Sequence, residues 1–142
     1  MNKKTINFAE KIRVSMFNEF YNYISSIPDA SDVERHNDNT LFFKYKDLIF
    51  VFATETSDPY YIRLMLPNIA KTDDIKDSDV YKVINEYNDK FKVVKMSIFN
   101  DNSIWLSAEQ LIYSKENASL LFMRMINILE SVINDFRKNT KQ

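Results

Sequence analysis

Apolar residues recur at helical spacing through residues 7–27, where Phe8, Ile12, Met16, Phe20, Tyr23 and Ile27 fall on one stripe. The first element is therefore an amphipathic helix, stopped by Pro28. Residues 28–39 are a polar connection, with 33–36 as the one further candidate for a short strand. The period then drops to two. Thr40–Tyr45 and Leu48–Thr54 read as strands joined by Lys46-Asp47, a two-residue hairpin turn without the customary glycine. Asp47 is expected to take the strained backbone position there, or the loop to be longer. Residues 60–66 make a third strand between Pro59 and Pro67, and an acidic loop at 70–77 leads to a short helix. Asp77 or Ser78 can cap that helix, and Val80, Val83, Ile84 and Tyr87 form its inner face. Residues 91–99 and Ser103–Leu111 form a second hairpin around Asn100-Asp101-Asn102.

A final helix begins near Asn117, with Ser114 or Asn117 as its cap. Leu121, Met125, Ile128, Leu129, Val132 and Phe136 form its apolar stripe, widened by Ile126 and Ile133, up to the basic end at Arg137-Lys138. The order α-β-β-β-α-β-β-α predicts an α+β fold, an antiparallel sheet with helices covering one face.

Alternation splits the strands into two faces. Leu41, Phe43, Tyr45, Tyr60, Ile62, Leu64, Leu66, Val94, Met96, Ile98, Ile104 and Leu106 are nearly all apolar and belong under the helices. The opposite face carries Phe42, Lys44, Tyr61, Arg63, Met65, Val93, Lys95, Ser97, Trp105 and Ser107. Large aromatics stand there among cations, and exposed aromatic sheet faces mark contact surfaces. Long Lys and Arg stems lying over the sheet of a monomer would account for the same residues. Tyr61, Arg63 and Trp105 are expected to point to one side, away from the first and last helices. The strand Leu48–Thr54 is apolar on both faces up to Ala53 and does not vote.

Composition removes several chemistries. The 142 residues include no glycine and no cysteine, and His36 is the single histidine. Phosphate-cradling loops need glycine for positive φ and close backbone approach, so a P-loop, a dinucleotide fingerprint and a nucleophile elbow are absent in their usual forms. Thiolate zinc sites and cysteine nucleophiles go with them. The length fits one domain, 1–142, and 45% hydrophobic residues suffice for a core. The start Met1-Asn2-Lys3-Lys4 resembles a secretory signal, but Glu10, Lys11 and Arg13 interrupt what would be its apolar region. A cytoplasmic protein without membrane contact is expected.

The remaining polar groups have structural explanations. Asp73, Asp74, Asp77 and Asp79 lack the glycine and the distant glutamate of a calcium loop, and read as a solvated loop before a helix. Asn37-Asp38-Asn39 and Asn100-Asp101-Asn102 are turn chemistry. His36 reads as a loop residue, and Glu109 and Glu116 as flanks of the last helix. Aromatics interleaved with Lys and Arg also occur in grooves for single-stranded nucleic acid, but the net charge of −1 and the acidic loop argue against that partner.

The stretch 80–137 resembles the YbjN family, whose fold is similar to that of type III secretion chaperones. The residues that carry the resemblance are Ile84-Asn85-Glu86-Tyr87-Asn88, the strand pair Lys92-Val93-Val94-Lys95-Met96-Ser97-Ile98 and Ile104-Trp105-Leu106-Ser107, and the helix end Val132-Ile133-Asn134-Asp135-Phe136. The resemblance implies a non-enzymatic chaperone-like or regulatory domain, a homodimer, that binds a protein partner or a second copy of itself; the missing motifs leave no metal or cofactor to expect. Phe42, Lys44, Tyr61, Arg63, Met65, Lys95 and Trp105 are the expected contact residues, with the cations selecting acidic groups at the rim. A small inhibitor or immunity-type protein with one tight partner is the alternative.

Overall fold

The computed structural model describes residues 8–76 and 79–140. Asn7, expected to open the first helix, and Asp77 and Ser78, expected to cap the second, lie outside the described residues. The elements are α1 (Phe8–Ser26), β1 (Ala30–Asn37), β2 (Thr40–Tyr45), β3 (Leu48–Thr54), β4 (Tyr61–Lys71), α2 (Val80–Lys90), β5 (Val94–Ile98), β6 (Ser103–Leu111) and α3 (Ala118–Thr140). The fold is α+β, as the pattern predicts, with one strand more before the second helix. The six strands form one antiparallel sheet in the order β1-β2-β3-β4-β6-β5. The added strand, β1, occupies the polar connection. It is a solvated edge strand with two register shifts, and Asp32 stands at φ 50° within it. Polar, irregular edges of this kind resist pairing with other chains.

Apolar positions of every strand meet α1 and α3 on one face. Leu41, Phe43, Phe50, Phe52, Ile62, Leu64, Leu66, Met96, Ile104 and Leu106 are buried there, with Phe20, Ile24, Phe122, Met125, Ile126, Leu129, Val132 and Phe136 from the helices. Phe122 binds these layers together. Its ring lies 5.6 Å from Phe20, 5.9 Å from Tyr23, 6.1 Å from Phe43 and 5.9 Å from Phe52, between centroids. Tilted and edge-on contacts at such distances suit the ring quadrupoles.

Several local expectations change. Phe8 is 78% exposed, while Phe17 and Arg13 are buried. The inner stripe of α1 is thus Arg13, Met16, Phe17, Phe20 and Ile24, rotated from the expected one. Arg13 explains the rotation. Its guanidinium donates to the Asp38 carbonyl (3.0 Å) and to Asn39 Oδ1 (2.6 Å), tying α1 to the β1–β2 turn. In the first hairpin the positive φ falls on Lys46 (54°), not Asp47. Lys46 is held there by its N–H to the Asp29 carbonyl and by an ion pair with Glu130 on α3 (3.3 Å). Strand β4 runs past Pro67 to Lys71, because Pro67 sits in an irregularity between the Leu66 and Ala70 pairings, next to Asn68 at φ 48°. A bulge tolerates proline's missing N–H. Strand β5 starts only at Val94, since Phe91 ends α2 and Val93 takes φ 72°. Asp79, whose carboxylate accepts the Tyr81 N–H (2.9 Å), is the N-cap of α2. His36 belongs to β1 rather than to a loop.

Arg13→Ala is expected to cost about 2 kcal/mol, because two hydrogen bonds from a charged donor are lost and the Asp38 carbonyl loses its partner. Urea unfolding followed by circular dichroism checks this. A change below about 0.5 kcal/mol, the scale of neutral surface substitutions, would refute the clamp.

Candidate functional site: the uncovered sheet face

The helices cover one side of the sheet, and the other side carries its own small cluster. Val51, Ala53 and Met65 pack together with Phe42 and Trp105 against them. Register aligns the side chains into rows. Phe42, Val51, Met65, Ser107 and Lys95 run across β2, β3, β4, β6 and β5. Thr40, Ala53, Arg63 and Glu109 form the next row, and Tyr61 pairs with Leu111 beyond it. Lys44 pairs with Ile49 at the other end. The structure therefore gathers Phe42, Lys44, Tyr61, Arg63, Met65, Lys95 and Trp105 on this one face, opposite α1 and α3.

Their surroundings differ. Met65 is buried in the cluster. Trp105 is braced within the chain. Its ring stacks on Phe99 at 4.1 Å with planes 3° apart, and its Nε1–H donates to Ser103 Oγ (2.8 Å). Phe42 meets the His36 ring edge-on at 5.1 Å. The exposed apolar area lies around these residues, at Ile49 (54% exposed), Leu111 (47%) and Phe99 (43%). Ile49 was hidden in a strand apolar on both faces. Leu111 and Glu109 continue the alternation of Trp105 and Ser107, and could have been read by following it to the strand's end.

The cations are not equivalent. Lys44 pairs with Asp32 at 3.4 Å. Lys95 pairs with Glu109, which sits on β6 within the face instead of at the start of α3. The Tyr61 hydroxyl is also coupled electrostatically to Glu109. Lys95 is the largest cause holding the Glu109 carboxyl below the usual range, supported by Tyr61 and Arg63 and opposed by burial. The Tyr61 phenol is pushed up to about 12, first by burial and then by Glu109. Arg63 stands across from Glu109, yet makes no ion pair and no hydrogen bond among the described residues, and its Nε is shut off from solvent.

Both sheet edges are closed to strand addition. The β1 edge is irregular and polar. At the β5 edge, the Asn88 side chain of α2 accepts from Met96 N–H (2.7 Å) and donates to the Met96 carbonyl (3.2 Å). The carboxamide thus takes the place a neighbouring strand's peptide group would fill. Among the described residues, no group of three His, Cys, Asp or Glu side chains is placed to hold a metal ion. No described helix is long and apolar enough to cross a membrane. No protein-family model matches the chain, and no curated protein matches it.

Two outcomes are expected. The depressed Glu109 carboxyl stabilises the fold at pH values above its ordinary range near 4.5, and that contribution is lost as pH falls through the lowered folded value. The raised Tyr61 phenol contributes below its ordinary value of 10.0 and loses that contribution as pH rises through about 12. Glu109→Gln should therefore weaken both dependences and lower the Tyr61 phenol toward, but not to, its ordinary value, since burial remains. Ultraviolet titration of the tyrosines, with chemical denaturation across pH, reads this; an unshifted phenolate transition would disprove the coupling of Tyr61 to Glu109. Asn88→Ala should cost about 1 kcal/mol and promote concentration-dependent strand pairing at β5. Unchanged stability and an unchanged sedimentation profile would show that Asn88 does not guard the edge.

Proposed function

We propose that the chain is a non-enzymatic protein-binding domain, chaperone-like or regulatory, that acts in the cytoplasm and binds its partner on the uncovered sheet face. One observation carries this reading: the helices pack on a single side, leaving a face with an apolar centre at Val51, Ala53 and Met65 and exposed apolar residues Ile49, Leu111 and Phe99 around it. An apolar centre with exposed apolar residues along the same face favours association. The closed edges favour docking across the face over strand addition. The resemblance to the YbjN family and the type III secretion chaperones supports the same reading.

Contact energy is expected at side chains that are exposed before binding. Trp105, stacked on Phe99, is a part of the scaffold, so its removal would disturb the β5–β6 hairpin as well as any contact. Ile49 and Leu111 are cleaner probes. Ile49→Asp and Leu111→Asp should each leave the circular dichroism spectrum unchanged and weaken partner capture roughly tenfold, in the range of a moderate interface residue. Native pull-down and light scattering after size exclusion supply the readout. A wild-type dimer that both variants dissociate would identify the partner as a second copy. A monomer with one tight partner, lost in both variants, would fit an inhibitor or immunity-type protein. Equal capture and equal mass for all three proteins would refute the face as a binding surface.

A further inference from the structure

Arg63 distinguishes the centre of this face from its margins. Lys44 and Lys95 have carboxylate partners within the chain, whereas Arg63 makes no ion pair or hydrogen bond among the described residues. Glu109, across the strand from it, forms its ion pair with Lys95, although its buried Oε1 accepts no hydrogen bond among the described residues. The group formed by Arg63, Lys95 and Glu109 therefore carries one surplus positive charge, on a guanidinium whose inner nitrogen is cut off from water. Ala53 lies beside Arg63 on β3, and Tyr61 and Met65 precede and follow it on the same face of β4. A guanidinium in an apolar frame offers a planar fork of donors to a carboxylate, and the low-polarity surroundings strengthen that bond.

Building on the protein-binding reading above, we infer that the face recognises an internal segment of a foreign polypeptide in which an Asp or Glu side chain is bracketed by apolar residues, the carboxylate seating on Arg63. Tyr61 and Met65, which flank Arg63 along its own strand, suit an internal carboxylate better than a chain end. Charge also disfavours a second copy as occupant. A two-fold interface centred on this face would bring Arg63 toward its own counterpart, with the nearest acid already committed.

The test uses the full chain and a random dodecapeptide display library. The expected result is a pool enriched in Asp or Glu flanked by Leu, Ile or aromatic residues, whose binding Ile49→Asp abolishes. A synthetic peptide from that pool should lose roughly 10- to 100-fold affinity for the wild type when its acid becomes Asn or Gln, the scale of a hydrogen bond to a charged group. The same peptide change should cost little on Arg63→Gln, which reports the coupling directly. Because the peptide substitution is read on the wild-type protein, the result does not depend on the variant folding. Peptides that need Ile49 but show no acid preference, or an acid whose loss costs the same on both proteins, would overturn the Arg63 assignment and leave the binding face standing. A pool indifferent to Ile49→Asp and Leu111→Asp, or a stable wild-type dimer closed through this face, would overturn it as well; the indifferent pool would also count against the face itself.

Discussion

The fold depends on Phe122. One ring on α3 touches Phe20 and Tyr23 of α1 and Phe43 and Phe52 of the sheet, so two helices and the adjacent strands β2 and β3 share a single packing centre. Burying an aromatic side chain of this size stabilises by roughly 1.5–3 kcal/mol. Its geometry has a further consequence. Because α1 and α3 both converge on the Phe43 and Phe52 side, the longest helices lie on that face, and the shorter α2 is drawn to the β5 edge. Tyr87 anchors α2 there. Its hydroxyl donates to Asp135 on α3 (2.7 Å), and its ring lies 5.6 Å from both Phe91 and Phe136. The position of α2 brings Asn88 to Met96. Core packing on one side thus closes an edge and leaves the opposite face open.

The two-faced character of the sheet was legible in the sequence because a strand's period is two and one face is fully buried. Leu41, Phe43, Ile62, Leu64, Leu66, Met96, Ile104 and Leu106 could belong to only one side once alternation was assumed, and all are buried beneath the helices. The outward-facing residues of the other face followed from the same alternation. What was not legible depends on partners distant in sequence. Of strand β1 only the candidate at 33–36 showed in the sequence; its full length, Ala30–Asn37, is too polar to announce itself and pairs along the ladder that β2 offers. The burial of Arg13 on α1 has its reason 25 residues away, in the turn carbonyl it satisfies. The strain of the first hairpin fell on Lys46 because Asp29 and Glu130 hold that residue, and neither is its sequence neighbour.

Glycine's absence sharpens this point. Positive φ occurs at Asp32, Lys46, Asn68, Val93 and Asn102. Asn and Asp tolerate the left-handed region through local hydrogen bonding. For Lys46 and Val93 the cost must be met by surrounding structure. At Val93 the φ of 72° marks the abrupt change from the α2 C-terminus to β5, where Phe91 N–H closes the helix on the Tyr87 carbonyl. A β-branched residue is a poor choice for that conformation. It therefore depends on the anchoring of α2 by Tyr87 and of β5 by Asn88 on either side.

The chemistry of the open face follows from the same economy of partners. Surface ion pairs such as Lys44–Asp32 add little stability, and their exposed charges are largely screened. They do alter recognition, since a paired lysine presents a dipole where a free one would present a charge. Basic composition alone marked Lys44, Arg63 and Lys95 as equals. Register separates them: Asp32 reaches Lys44 from the edge strand, Glu109 reaches Lys95 from β6, and Arg63, between Ala53 and an already engaged Glu109, keeps its donors unspent. A partner matched only to the face's overall charge would meet a single surplus positive charge. One matched to its geometry would meet a single directed cation in an apolar frame, where a misplaced carboxylate pays its desolvation without recovering it. The selectivity proposed for this face therefore rests on which charges the sheet has already paired.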